Sequence, residues 1–476
     1  MATIAAESHG QALLAFAHGL RLGDVPPDVI EQATTCLMDA LGCGIFGSGQ
    51  QWSRILADEM IADGSVGHST VIGHAARLGA PAAALCNGTA IHGFELDDLI
   101  AESITHPAAC VIPAAVAAAE AVNASGARLI EAIIVGYEAM HRVGLALGTE
   151  PAQRGFHKTS LVGPIACAAT AGKVLGLSRD QLSAAVGIAC SAAAGIKSFA
   201  AGRGGGMVKR LHLGRAAEAG VRAAQLASRD FSGPPFALDS RFGLLEVFGG
   251  TSAQPERMSQ GLGDTQGFRG AWALRDVWFK VYPICGWIQS VVQLAVALRG
   301  PKTLTPDDVR SVRVGVSRYA AQNNGEPAPI DTMGAQYSIP YCAAVALTGD
   351  PRDPARFADE AVTDPAMRAL AAKVEVAIDP AVEAVYPGKF GASVTLTRAD
   401  GSTAERTVLE CRGTPADPCS RAELTDKFRL LAGARLPADA VSALAEQIAR
   451  TTDLSSAREL TRLLRRQPDV RAQRTA

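Results

Sequence analysis

The run Arg154-Gly155-Phe156-His157-Lys158-Thr159-Ser160 sets a histidine beside a lysine between apolar, alanine-rich stretches. Upstream lie Phe94-Glu95-Leu96-Asp97-Asp98 and Thr105-His106-Pro107. Downstream come Gly204 to His212, which contains Lys209, and then Lys280-Val281-Tyr282-Pro283-Ile284-Cys285. Ionisable side chains in such surroundings are costly to bury unless each finds a partner or a task. Imidazoles and carboxylates move protons, and lysines hold anions, so the set points to one buried polar site that handles an anion by acid–base chemistry.

Each segment also has a plain structural reading. Glu95, Asp97 and Asp98 fit a solvated acidic cluster at a helix end, and His106 before Pro107 fits a helix cap. Lys209-Arg210 after the glycines fits a solvated loop. The functional reading has the glycines admit a ligand close to the backbone, with Lys209 meeting a carboxylate at the helix start. Lys280, among Trp278, Phe279, Tyr282 and Trp287, loses its charge unless paired, so a substrate carboxylate suits it; snorkelling to the surface is the alternative. Tyr341 offers a hydroxyl as proton donor or a packed ring. Cys285 carries no sequence mark of an activated thiolate. No metal is expected: zincin patterns, acidic calcium loops and paired His/Cys ligands are missing, and His92 with Glu95 makes only two ligands. The glycine-rich run is not a P-loop, because Arg210 follows Lys209 where Ser or Thr is needed.

Composition narrows the classes. With 45 Lys and Arg against 47 Asp and Glu among 476 residues, no broad basic field invites nucleic acid. Hydrophobic residues make up 48% and charged ones 19%, as in well-buried globular chains. The ten cysteines include no C-x-x-C pair and read as small buried hydrophobes in a reducing compartment. The start, Met1 to Glu7, lacks the basic and apolar regions of a secretory signal, and the apolar run from Ala108 to Ala119 is too short to span a bilayer. A cytoplasmic protein without a membrane partner is expected.

Periodicity supplies the elements that position these groups. After Pro26-Pro27, the residues Val29, Ala33, Cys36, Leu37 and Ala40 recur at helical spacing, as do Leu129, Ile133, Tyr137 and Met140, and Leu182, Val186 and Cys190. Around 270–410 the period changes to two in Val312-Val314-Val316, Val374-Val376-Ile378 and Val394-Leu396, and Asp400-Gly401 signals a hairpin into Thr407-Val408-Leu409. Helical stretches are predicted around 335–348 and 355–373. Ser420 with Glu423 forms a capping box before a further helix, Val441, Leu444 and Ile448 mark another, and the tail from Arg465 is polar. The expected fold is mainly α: a helical domain over 1–268, an α+β domain over 269–411, and helices over 412–476 that return to the first domain.

In this order, Asn87-Gly88-Thr89-Ala90 through Asp98, Thr105-His106-Pro107, Gly155 to Ser160, Lys209 to Gly214, Lys280 to Cys285 and Ser338 to Tyr341 resemble the MmgE/PrpD family. That family includes 2-methylcitrate dehydratase, cis-aconitate decarboxylase and iminodisuccinate epimerase. The resemblance implies a homodimer with its site between a large helical and a smaller α+β domain, and no metal or organic cofactor. It implies a small di- or tricarboxylate substrate and proton transfer beside a carboxylate. His106, His157, Tyr341 and Glu95 would be catalytic, and Lys209, Lys280 and Asp98 would bind the substrate. The chain departs from the family where Glu95 stands for the first aspartate of the acidic run, where Leu99-Ile100 follow it, and where Gln289 occupies a position often held by histidine. A dehydratase is the first expectation, then an epimerase, then a decarboxylase. A silent carboxylate-binding protein is the non-enzymatic alternative.

Overall fold

Residues 8–200, 204–262 and 272–465 are described by a computed structural model of the chain. The expected boundary at 268/269, residues Met1 to Glu7 and the tail from Arg466 lie outside the described residues. The architecture is mainly α, with helices first, a small mixed sheet next and helices again at the end.

The helix Pro27–Gly47 begins on a proline whose missing N–H costs nothing in a first turn. Its buried Val29, Ala33, Cys36, Leu37 and Leu41 form one face. The helix Ala108–Val122 is apolar apart from Glu120 and is buried from Ala108 to Glu120, at the centre of the large unit. Around it pack Ala80–Ile91, Gly126–Leu147, Lys158–Leu175 and Val208–Ala227.

Small residues decide how close these helices come. A Cβ on Gly88 would lie 2.8 Å from the Gly214 Cα and 2.8 Å from the Ala109 carbonyl oxygen, and one on Gly214 would run into the Leu85 carbonyl. Only glycine fits at that crossing. The crossing matters for function because Ala80–Ile91 leads directly into Glu95, and Val208–Ala227 carries Lys209 in its first turn.

In the smaller unit the strand order is Val374–Ile378, Val309–Val316, Ala392–Arg398, Thr403–Val408. The first pair is parallel, with Val314 opposite Val376, and the other two pairs are antiparallel. A parallel pair needs a long crossover, which the helical segments between residues 318 and 371 supply. Val312, Val314 and Val316 are buried toward helices, and Asp400-Gly401 closes the hairpin with Gly401 at φ 86°.

Two predicted helices are shorter. The stretch 355–373 is divided into Pro354–Phe357, Asp359–Val362 and Pro365–Ala371, because Asp353 and Asp364 cap new starts ahead of two prolines. The stretch 335–348 becomes Ile339–Thr348, capped by Ser338 with Pro340 in its first turn.

The capping box of Ser420 and Glu423 opens the helix Arg421–Gly433, which lies on Pro27–Gly47. A Cβ on Gly42 would stand 3.1 Å from the Phe428 ring, and Lys427 pairs with the buried Asp39 at 2.7 Å. No helix among the described residues is long and apolar enough to cross a membrane.

The glycine crossing gives a direct test. Gly214→Val should lower stability by about 3 kcal/mol, at the upper end of overpacking costs. Gly433→Ala, where an added Cβ meets nothing within 4 Å, should melt as the parent does. Equal melting points for Gly214→Val and the parent would contradict the close crossing.

Candidate active site

The site grows from the end of Ala80–Ile91. A 3-10 turn over His92–Phe94 follows, and Glu95 then takes a left-handed backbone at φ 57° and ψ 32°. That conformation costs a non-glycine residue roughly 1–2 kcal/mol. It turns the buried Glu95 carboxylate toward two ammonium groups: Oε1 meets Lys209 Nζ, and Oε2 lies 3.2 Å from Lys280 Nζ. All three side chains are about 1% exposed. Lys280 is delivered by a short antiparallel bridge in which Leu99 and Trp278 exchange backbone hydrogen bonds of 3.1 and 2.7 Å.

Burial alone would push the Glu95 carboxyl up, but the ammoniums of Lys209 and Lys280 hold it well below the usual range. For Lys280, burial opposes the charge and Glu95 more than restores it. For Lys209, burial prevails and the ammonium sits below its ordinary value. Arg210, also buried, donates to the Gly93 carbonyl and to Gln336 Oε1 at 3.3 Å each, and adds a third positive charge nearby.

Four imidazoles stand against this cationic floor. The His92 ring centroid is 5.2 Å from that of His106 and 6.0 Å from that of His157, which lies 5.4 Å from His212. His92 Nδ1 is 2.8 Å from Asp97 Oδ2. His106 Nδ1 is 2.8 Å from the Asp98 carbonyl oxygen, which can only accept, so Nδ1 carries the proton and Nε2 of the neutral ring is free to accept. His157, at the N-cap of Lys158–Leu175, has Nδ1 3.2 Å from His212 Nδ1; one ring donates and the other accepts. Burial and the Lys209 ammonium depress His92, His157 and His212. Burial and then Lys280 push His106 down to about 3. These rings are neutral near pH 7 and act first as bases.

Glu95, Lys209, Lys280, His106 and His157 are thus brought together; the side chains of two other expected residues point elsewhere. Tyr341 sits inside the smaller unit, its hydroxyl donating to the Arg356 carbonyl at 2.8 Å and its ring against Phe357. It lies one turn into Ile339–Thr348, past the Ser338 cap, and so faces the core of that unit. Asp98 accepts from the Ala108 N–H at 2.9 Å and from the Tyr137 hydroxyl at 2.7 Å, so it fastens the start of Ala108–Val122. Burial raises its carboxyl to about 7. Gln289 accepts from the Tyr282 N–H at 3.2 Å and donates to the Tyr282 and Ile284 carbonyls, bracing the turn after Lys280.

Two small chambers, of about 60 and 40 Å³, share Ile104, His106, Trp287 and Tyr337 as walls. The larger also touches His157, Lys197, Phe199 and Tyr319, and the smaller reaches Glu95 and Cys285. Burial and the Glu95 carboxylate raise the Cys285 thiol, which therefore stays protonated. Sequence reading gave no role to His92, Asp97, His212, Lys197 or Tyr337. His212 follows Lys209 at i+3 on one helix face, a spacing that pairs them. Tyr337 precedes the Ser338 cap, so it projects from a loop and its ring lies 5.3 Å from Lys209 Nζ. His92, Asp97 and His106 also place ligand atoms within 4.8 Å of one another, the spacing of a metal set. Their own hydrogen bonds and the neighbouring cations suit a proton-handling group better than a cation site.

Residues 11–256 match the family model for the MmgE/PrpD N-terminal domain, and residues 282–452 match that for the C-terminal domain. The chain is 30% identical over 470 residues to a cis-aconitate decarboxylase of Aspergillus terreus, covering 94% of each chain. It is 29% identical over 462 residues to a cis-aconitate decarboxylase of Homo sapiens, covering 94% of this chain and 92% of that one. It is 24% identical over 407 residues to a 2-methylcitrate dehydratase of Cupriavidus necator, covering 80% of each.

The shared carboxylate predicts how the site fails. Glu95→Gln keeps the shape and removes the charge, leaving two buried ammoniums without their partner, and should cost about 3 kcal/mol in urea unfolding near neutral pH. An unpaired buried lysine has a depressed pKa, so stability rises with pH up to the unfolded value of about 10.4, and the deficit should shrink as pH approaches 10. A deficit below about 0.5 kcal/mol, or one independent of pH, would show that the three groups are not coupled.

Proposed function

Because this chain belongs to the MmgE/PrpD family, we propose that it is a lyase acting on a small tricarboxylate by proton transfer at a carbon beside a carboxylate, without a metal or organic cofactor. The observation that carries this reading is the set of neutral imidazoles facing an aromatic-walled chamber next to fixed ammonium groups. Lysine and arginine charges stabilise the enolate-like anion that forms when a carbon beside a carboxylate gains an electron pair. His157 and His106 exchange the proton at that carbon, and the half-buried His212 links His157 to solvent.

Of the two lyase reactions named for the relatives, decarboxylation of the cis-aconitate type is favoured. A carboxylate drawn out of water beside His157, Phe199 and Tyr337 loses carbon dioxide more readily, the electron pair staying on carbon until a proton arrives. Dehydration needs two proton transfers, one from carbon and one to a departing hydroxyl, whereas decarboxylation needs only one, delivered to carbon by His157 from solvent through His212. A full-length likeness to the decarboxylases supports the same choice. Dehydration, the first expectation from sequence, is the second reading. Asn324 lines the chamber, and its buried Oδ1 accepts no hydrogen bond among the described residues, which suits a substrate hydroxyl. At about 60 Å³ the chamber holds only a few waters, so binding a six-carbon acid requires the aromatic wall to move.

Purified protein incubated with cis-aconitate or 2-methylcitrate in deuterium oxide, followed by proton NMR, separates these outcomes. Carbon dioxide release with one deuteron in the product supports decarboxylation. Loss of water supports the second reading, and exchange without net product points to an epimerase. His157→Ala should lower kcat by roughly 10²-fold or more, and chelators should leave the parent rate unchanged. No turnover of any polycarboxylate, or activity that chelators abolish and one divalent metal restores, would overturn the proposal.

A further inference from the structure

The cations around the chamber are not equivalent. Lys209 and Lys280 share Glu95, and Lys158, which also lines the chamber, feels the Glu102 carboxylate. Lys197 has no carboxylate partner among the described residues. Its ammonium meets the Tyr319 hydroxyl and lies 4.9 Å from the Tyr319 ring centroid and 6.0 Å from that of Trp287. Burial draws it below the ordinary lysine value, with only the Cys285 thiol opposing the shift.

Backbone pairing ties Lys197 to the proton-handling group. Phe156 and Ile196 form an antiparallel bridge, the His157 N–H donates to the Gly195 carbonyl at 3.0 Å, and the Lys197 N–H donates to the Gly155 carbonyl at 2.7 Å. Gly155 at φ 90° and Gly195 at φ 114° allow the two segments to turn into this clip. His157 and Lys197 therefore sit at fixed positions on one short frame, while Tyr319 and Trp287 come from the C-terminal part of the chain.

The place also has the chemistry of an anion site. Lys197 and Tyr319 touch both the inner chamber and an outer groove of about 1010 Å³, so they stand at its neck. The indole N–H of Trp287 is buried without an acceptor among the described residues, although the side chain lines both chambers. Ammonium and indole N–H are donor-only groups, and the rings around them exclude water. What they lack is an acceptor with negative charge.

We propose that Lys197, Trp287 and Tyr319 form a subsite at the chamber neck for the third substrate carboxylate, the one that a dicarboxylate lacks. This rests on the reading of the protein as a tricarboxylate lyase. The subsite selects a third carboxylate that a dicarboxylate cannot present, and it orients the chain of the acid toward His157.

Calorimetric titration with two unreactive acids tests it. Propane-1,2,3-tricarboxylate carries the extra arm, and butanedioate lacks it. A charged hydrogen bond lost from a site costs enough for about a tenfold change in affinity. Lys197→Met should weaken the tricarboxylate by about that factor or more while moving butanedioate by less than about threefold, with an unchanged melting point. Lys197→Arg should recover part of the loss, and Trp287→Phe, which keeps the ring but not the N–H, should fall between. Equal losses for both acids, or none for either, would overturn the subsite while leaving the lyase reading standing. Failure of the parent protein to bind either acid would overturn both.

Discussion

Glu95 is shared by Lys209 and Lys280 in a setting from which water is excluded, and the rest of the site follows from that sharing. Glu95 and the nearby Asp97 do not cancel Lys209, Lys280 and Arg210, so the group beside the chamber keeps a positive balance. Burial first, and the ammonium of Lys209 after it, hold the histidines neutral, and the same positive balance draws in an anion. The left-handed backbone of Glu95 is the local cost of aiming that carboxylate inward. Ile104, a β-branched residue at φ 56° in the same loop, is a second strained point beside His106. Strain on both sides of the acidic run indicates that the loop is held by its contacts and not by its own preference.

The two parts of the chain contribute unequally. The helical unit supplies the bases and Lys209, on elements whose crossing leaves no room for a side chain at Gly88 and Gly214. The C-terminal part supplies Lys280 to Glu95, and Trp287, Tyr319 and Tyr337 to the wall that covers the bases. A site divided in this way can open by relative movement of its walls without disturbing the imidazole set, as a ligand larger than the present chambers requires.

Much of this was legible in the residues. The helices Pro27–Gly47, Gly126–Leu147 and Arg421–Gly433 follow from apolar spacing and caps, and the strands from alternating valines and an Asp-Gly turn. Glu95, His106, His157, Lys209 and Lys280 were conspicuous because charge is expensive among alanines. What sequence could not supply was direction. Tyr337 and Tyr341 are one helical turn apart, and a cap at Ser338 sends the first to the chamber and the second to the core. Asp97 and Asp98 are neighbours, yet one meets His92 and the other Tyr137. Lys197 lies in a stretch without periodicity, and only the clip with Gly155 shows where its ammonium goes.

The claim on which the account turns is that the imidazoles near Glu95 and its two lysines are neutral bases throughout the physiological range. Ring-nitrogen NMR of the ligand-free protein, with His92, His106 and His157 assigned by single His→Gln substitutions, reads this directly between pH 8 and about 5.5. Burial and the adjacent ammoniums lower all three, so each should keep the spectrum of a neutral ring at every pH in that span. Half-protonation of His157 near the ordinary value of about 6.5 would contradict the account.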